Sequence, residues 1–208
     1  MKLCMFSPRD RELPRGWPGR IEDGVVIQLA AQTLQSFFTG GGTAREHAEF
    51  SIDEIVLRAP VLHPPSIRIF GANGDFTFAN PASIIGPDEA VPLPAGAEQL
   101  ESDLRIAAVI GADGAIGGFT LMNDWVAPGL HGTKARDFAT SLGPIVVTPD
   151  EFPSSDDWTA LVAHAARNTR LLPGDILAAG SMRDGPYEPG DLVAVSLEEI
   201  GVLRNRVA

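Results

Sequence analysis

The sequence ESDLRIAAVIG, at residues 101–111, carries the strongest indication of how this chain folds. Its second half, Ile106–Ile110, is apolar on both faces, which is typical of a strand inside a covered sheet. At its start, Glu101, Asp103 and Arg105 are spaced by two residues, so an extended backbone points all three side chains to one face. Burial of a carboxylate there is costly unless a cation compensates it. That cation is either a metal ion or the guanidinium of Arg105.

The composition predicts a β-rich α+β fold with few short helices. The chain has 208 residues, of which 44% are hydrophobic, enough for one large domain or for one domain with a small appendage. Its 22 glycines and 17 prolines favour frequent turns between short strands.

Charge and cysteine content limit the partners and the compartment. A net charge of −11 argues against nucleic acid and anionic membranes as partners, because both carry phosphate charge. The single cysteine, Cys4, excludes an internal disulfide and a cysteine-rich zinc site. There is no apolar run of membrane-spanning length and no signal-peptide pattern, so we expect a cytoplasmic protein.

The pattern along the chain predicts two units. Residues 1–58 are expected to form a small N-terminal subdomain, and residues 59–208 the main domain. In the first unit a strand over Gly24–Ala31 precedes a helix over Ala30–Phe38, and a second helix is expected over Ala44–Ile55 with Thr43 as its cap.

Short strand signals separated by turn residues follow, together with one helix over Trp158–Asn168 capped by Ser155 or Asp156. The Asp-Gly pair at residues 113–114 predicts a hairpin between two of these strands. The predicted strands are Ile55–Arg58, Ser66–Phe70, Asp75–Phe78, Ser83–Gly86, Leu104–Gly111, Ala115–Asn123, Gly143–Thr148, Ile176–Ala179, Asp191–Leu197 and Ile200–Val207.

Six stretches occur in an order that resembles the fumarylacetoacetate hydrolase (FAH) family, in particular its smaller, acylpyruvase-like members. They are NPASIIGP at 80–87, the strand at 103–111, GFTLMND at 118–124, KARD at 134–137 with LGP at 142–144, PGDILAAGS at 173–181, and PGD at 189–191 with IGVLRNRV at 200–207. The resemblance implies an FAH-type mixed β-sandwich roll and, by the habit of such members, a homodimer.

The resemblance also implies a chemistry. Family members hold Mg²⁺ or Mn²⁺ with three carboxylates, two from an E-x-E strand and one from an N-D strand, and oxygen ligands suit such hard cations. The metal polarises a small 2-oxo acid or 1,3-dicarbonyl substrate. A nearby His-Glu pair activates water for hydrolysis.

This chain departs from the family pattern at the metal site. By position, Asp103 replaces the first glutamate, Arg105 the second, and Asp124 is the retained aspartate. We therefore expect a degenerate metal site in which Arg105 pairs with Asp103, Asp124 or both in place of the metal. Two alternatives stay open: Glu101 completes a three-carboxylate metal site, or Arg105 turns outward to a surface acid.

Other family positions provide candidate substrate-binding and catalytic residues. The resemblance assigns Lys134, with its partner Asp137, to the substrate side, together with catalytic Arg105 and Asp124. Further candidates for substrate binding are Ser181, Gly180, His131 and Asn80, which stands where the family has a lysine. The His-Glu segment is replaced by the short run Ala72–Asp75, and His47 lies too far upstream to replace it unless the N-terminal subdomain covers the site.

Three functions are compatible with these residues. The first is an FAH-type enzyme that acts on a small carboxylate by C–C bond hydrolysis, decarboxylation or enol–keto isomerisation. The second is a catalytically silent relative that binds a small anion or serves as an assembly partner. The third is a metal-independent isomerase or lyase in which Arg105 and Lys134 stabilise an enolate electrostatically.

Overall fold

The computed structural model of the protein describes residues 1–152 and 157–208. Within these residues the strands are β1 Lys2–Pro8, β2 Trp17–Glu22, β3 Val25–Leu29, β4 Glu46–Ser51, β5 Ile55–Arg58, β6 Ile67–Phe70, β7 Phe76–Ala79, β8 Ile84–Ile85, β9 Ala90–Val91, β10 Leu100–Ile110, β11 Ile116–Val126, β12 Thr140–Val147, β13 Ile176–Tyr187, β14 Leu192–Leu197 and β15 Gly201–Val207. The α-helices are α1 Leu34–Thr39 and α2 Trp158–Ala165. The β-rich fold class predicted from the composition is confirmed.

A single large mixed sheet organises the chain. Its order is β4-β3-β2-β1-β12-β11-β10-β13-β6-β7, with β5 paired to β1 and β8 paired to β12. A second sheet has the order β14-β15-β9. The predicted hairpin joins β10 to β11, and both Asp113 and Gly114 adopt the positive φ angles that a tight turn needs (53° and 77°).

The central strand β10 contributes to two apolar cores, one on each face of the sheet. Ala108 and Ile110 belong to the core that α2 covers, whereas Ala107 and Val109 belong to the core that contains residues of α1. Successive side chains of a strand alternate between faces. The apolar run of β10 is therefore buried on both sides, as its sequence predicts.

The N-terminal region differs from the prediction in one element. The helix expected over Ala44–Ile55 is wrong, because Glu46–Ser51 form β4, which pairs with β3 at the edge of the main sheet, and a short 3-10 turn follows at Ile52–Glu54. Phe50 of β4 packs against Phe6 and Trp17 (ring centroids 5.3 and 6.2 Å apart). This non-local pairing overrides the weak helical preference of the segment.

The remaining N-terminal elements agree broadly with the pattern. Thr33 caps α1, and the expected strand before it is β3. Strand β1 pairs with β12, so residues 1–58 extend the main sheet. The boundary after residue 58 stays a prediction about independent folding. Asp157 caps α2, and the predicted caps Ser155 and Asp156 lie outside the described residues.

Across residues 1–152 and 157–208, none of the helices has the length and apolar character needed to cross a membrane.

Candidate active site

Register places charged side chains of three neighbouring strands side by side. Asp103 of β10 lies directly opposite Asp124 of β11 and, on its other side, opposite Arg183 of β13. Directly opposite residues of adjacent strands project to the same face of the sheet. Both aspartates are fully buried, so each carboxylate requires compensation.

Arg105 supplies the first compensating charge. Its Nη2 donates to Oδ2 of Asp103 at 2.6 Å, and its Nη1 donates to the carbonyl oxygens of Gly180 (2.6 Å) and Phe70 (3.2 Å). The β10–β13 register shifts between Leu104 and Ile106, and Gly180 has a φ of 74°. This bulge turns the Gly180 carbonyl towards the guanidinium.

Two further arginines complete the cluster. Arg136 donates from Nη1 to Oδ2 of Asp124 and lies 3.7 Å from Asp103, while Nε of Arg183 lies 3.8 Å from Asp103. Ser181 donates from Oγ to Oδ1 of Asp103 at 2.6 Å. Three guanidiniums therefore face two carboxylates, which leaves the site locally positive in an acidic chain.

Burial dominates the acid–base character of Asp124. Removal from solvent raises the pKa of its carboxyl group, although the charges of Arg136 and Arg105 act in the opposite direction. A carboxylate with a raised pKa accepts a proton more readily than an exposed one.

A cleft of about 600 Å³ opens over these groups. One wall is the β6–β7 hairpin, the other includes Gly132 and Thr133, and Arg105, Asp124 and Arg136 also line it. A second cavity of about 580 Å³ is lined by Gly180, Ser181 and residues of α2, and Arg105 lines this cavity as well. Arg105 thus lies where the two spaces meet.

Two polar atoms at this position lack an internal partner. Among the residues that the structure describes, neither Nε of Arg105 nor Oδ1 of Asp124 makes a hydrogen bond, and both are buried. Buried polar groups are normally paired with protein or water. Both residues line the cleft, and each of these atoms keeps an unused hydrogen-bonding capacity.

Of the residues predicted on the substrate side, Asp137 and Asn80 line the cleft, whereas Lys134 and His131 do not. Lys134 is 77% exposed and pairs with Asp137 at 2.7 Å, and only Asp137 of the two lines the cleft. Asn80 also lines the cleft and donates to the Asp137 carbonyl oxygen at 2.9 Å. His131 is exposed immediately before the short turn Gly132–Ala135 and is absent from the cleft lining.

The predicted metal-site residues also have defined positions. Arg105 points inward, contrary to the alternative that paired it with a surface acid. Glu101 of β10 lies opposite Val126 of β11 and is half-buried. Among residues 1–152 and 157–208, no three His, Cys, Asp or Glu side chains group closely enough to hold a metal ion, so Glu101 does not join Asp103 and Asp124 in such a group.

Sequence reasoning missed Arg136 and Arg183 as members of the site. Both come from segments distant from β10, and only the strand register and the loop after β11 bring them to Asp103. A charge balance contained the available signal, because one arginine cannot compensate two buried aspartates. The balance indicates that a second cation is needed, but it does not indicate which of the other arginines supplies it.

Comparison with known proteins identifies the family. The family model described as "Fumarylacetoacetate (FAA) hydrolase C-terminal" matches residues 68–160 and 157–208, well over half of the chain. The chain belongs to the FAA hydrolase family. This confirms the resemblance drawn from the six sequence stretches.

This FAA hydrolase family member has relatives with named activities. It is 27% identical to the mitochondrial oxaloacetate tautomerase Fahd2a of Rattus norvegicus, in an alignment that covers 100% of this chain and 91% of the relative. A 5-carboxymethyl-2-hydroxymuconate delta-isomerase from Mycobacterium smegmatis shares the fold (TM-score 0.81, 24% identity, 100% and 99% coverage). So does a maleylpyruvate hydrolase from Sphingobium sp. SYK-6 in complex with manganese(II) and pyruvate (TM-score 0.80, 19% identity, 100% and 98% coverage).

The donor set of this FAA hydrolase family member does not fit a divalent cation. Divalent magnesium and manganese favour several oxygen ligands. Here both candidate aspartates are engaged by guanidiniums, and no third carboxylate joins them among the described residues. The guanidinium of Arg105, 2.6 Å from Asp103, opposes metal binding by charge repulsion.

Proposed function

We propose that this protein is an FAA hydrolase family enzyme that interconverts the keto and enol forms of a small 2-oxo acid without a bound metal ion. Arg105 and Arg136 take the electrostatic role of the cation. The single observation that carries this proposal is the unpaired Nε of Arg105 and the unpaired Oδ1 of Asp124, both of which belong to residues lining the cleft.

The proposed reaction moves one proton within the substrate. Arg136 binds the substrate carboxylate, and the C2 oxygen accepts a hydrogen bond from the guanidinium of Arg105. The carboxylate of Asp124 takes the proton from C3, the C–H electron pair forms the C2–C3 double bond, and the C2 oxygen gains the negative charge. Return of the proton to that oxygen gives the enol. A guanidinium fixed before the reaction stabilises the developing charge without reorganisation.

Isomerisation is favoured over C–C bond hydrolysis by the turn between β6 and β7. Hydrolysis requires an activated water, and the segment expected to activate it is here the short turn at residues 72–75, closed by a hydrogen bond from Gly71 N to the Asp75 carbonyl at 2.8 Å. Isomerisation needs only one proton acceptor and an electrophile. The name of the rat relative, an oxaloacetate tautomerase, supports the same choice.

The test measures oxaloacetate enol–keto conversion by ultraviolet absorbance, with EDTA or with added Mg²⁺ or Mn²⁺. We expect equal activity in all three conditions. Asp124→Asn should lower kcat by about 10²-fold or more, the usual contribution of general acid–base catalysis. Asp88→Asn, in an exposed pair with Arg204, is the matched control and should retain activity. Activity that requires added metal, or that survives in Asp124→Asn, contradicts the proposal.

A catalytically silent anion-binding protein is the second candidate. The ion pairs themselves favour it, because both buried aspartates are already neutralised by arginines in the ligand-free chain. Binding of oxalate by calorimetry, without turnover of any oxo acid, would establish this alternative. A homodimer and a cytoplasmic location stay predictions, as does assembly with another protein.

A further inference from the structure

One wall of the cleft is formed by a run of aromatic side chains. Phe70 and Phe76 are directly opposed on β6 and β7, and their ring centroids lie 5.4 Å apart. Phe78, two residues further along β7, meets Phe76 edge-on at 5.5 Å. All three residues line the cleft.

Phe78 is unusual in this wall because its side chain is 68% exposed. The guanidinium of Arg68, which is buried, lies 5.4 Å from the Phe78 ring centroid and 5.7 Å from that of Phe76. Arg68 is in turn fixed by Ser66 at 2.6 Å and by Asp175 at 3.5 Å. The exposed ring is therefore supported from behind, and its free surface is available to a ligand.

The volume of the cleft exceeds the need of a four-carbon acid. At about 600 Å³ it lies within the range of roughly 300–1,000 Å³ found for pockets that hold drug-sized ligands. A substrate anchored only at Arg105 and Arg136 would leave the aromatic wall uncovered. A flat apolar group on the substrate would cover it and stack on Phe78.

We propose that the preferred substrates are 2-oxo acids that carry an aryl group on C3, with the carboxylate at the arginines and the aryl ring against Phe76 and Phe78. This inference rests on the proposed function and specifies its substrate class. The reaction is unchanged: the C3–H bond breaks, an O–H bond forms at the C2 oxygen, and no other atom or electron is exchanged.

The test compares kcat/KM for phenylpyruvate and oxaloacetate in the full-length protein, after subtraction of the uncatalysed rates. We expect phenylpyruvate to be preferred. Phe78→Ala should reduce the ratio of phenylpyruvate to oxaloacetate kcat/KM by about two- to tenfold, the range of one aromatic contact. Leu192→Ala, which removes a 55% exposed apolar side chain from β14, is the matched control and should leave the ratio unchanged.

The outcomes separate the two proposals. Turnover of oxaloacetate with no preference for phenylpyruvate, or an unchanged ratio in Phe78→Ala, overturns the aromatic assignment and leaves the proposed function intact. Failure to bind or turn over either acid overturns both. Light scattering of Phe78→Ala adds a further criterion: if the variant dissociates an assembly and the ratio stays constant, Phe78 contacts a second copy of the chain instead.

Discussion

Replacement of Arg105 by leucine should destabilise the protein far more than replacement of an exposed arginine. The substitution leaves the fully buried Asp103 without its 2.6 Å partner and removes the donor to the Gly180 and Phe70 carbonyl oxygens. Removal of one partner from a buried ion pair typically costs about 3–5 kcal/mol. Arg136 and Arg183, at 3.7 and 3.8 Å, still face Asp103 and limit the loss. We therefore expect a loss of about 3 kcal/mol.

Urea unfolding followed by circular dichroism measures this loss directly. For a chain of this size, a loss of about 3 kcal/mol corresponds to a fall in Tm of about 6–12 °C. Arg204→Leu is the matched control, since Arg204 and its partner Asp88 are 56% and 54% exposed, and exposed pairs contribute about 0–1 kcal/mol.

Equal losses in Arg105→Leu and Arg204→Leu would refute the reasoning that a guanidinium compensates the buried carboxylate. A double-mutant cycle with Asp103→Asn tests the pair itself. If the two residues interact as the distance indicates, the double variant should lose at least about 0.5 kcal/mol less than the sum of the single losses. Simple additivity would mean that Arg105 acts through its carbonyl contacts alone.

Two further perturbations test other parts of the fold. Burial raises the pKa of the Cys4 thiol from 9.0 to about 12, so the folded chain keeps its proton where the unfolded chain loses it. The free energy of unfolding should therefore fall as pH rises above 9.0, by up to about 1.4 kcal/mol per pH unit from this group. When unfolding is measured at pH 8 and pH 10, the fall should be smaller in Cys4→Ala than in the unchanged protein. An identical pH dependence of the two proteins contradicts this prediction. Gly180→Ala should cost about 1–2 kcal/mol of stability, because Gly180 has a φ of 74°, which an L-residue adopts only with strain. An added Cβ would meet no atom within 4 Å, so the cost comes from the backbone conformation and not from a clash. Gly129→Ala is the control, because Gly129 has no positive φ and its added Cβ would approach only the Gly96 carbonyl oxygen, at 3.7 Å. This substitution should cost less than about 0.5 kcal/mol. An equal loss of stability at both sites would exclude backbone strain as the cause.

The sequence predicts those elements whose information is local. Three features are each encoded within a few residues. They are the apolar side chains on both faces of Ile106–Ile110, the Asp-Gly turn at residues 113–114 and the helix that begins at Trp158. The segment Ala44–Ile55 shows the limit, because its conformation depends on pairing with β3 and on the contact of Phe50 with Phe6. A local pattern contains no information about that partner.

The candidate site was predictable to a similar extent. The exchange that puts Arg105 among the acidic positions is visible in the sequence, and the predicted ion pair of Arg105 with Asp103 is present. The pairing of Asp124 with Arg136 instead of Arg105 depends on how the loop after β11 returns over the sheet. Lys134, which stands two residues earlier in that loop, is carried outward to solvent by the same turn.

In the proposed function guanidiniums take the electrostatic role of a metal ion, and this changes what a ligand must offer. A metal ion accepts two oxygens of one substrate at once, because its coordination positions are open to any donor. A guanidinium binds through fixed N–H groups, and three of the five in Arg105 donate to Asp103 and to the carbonyl oxygens of Gly180 and Phe70. In this proposal discrimination among oxo acids comes from the aromatic wall that Phe76 and Phe78 form in the same cleft.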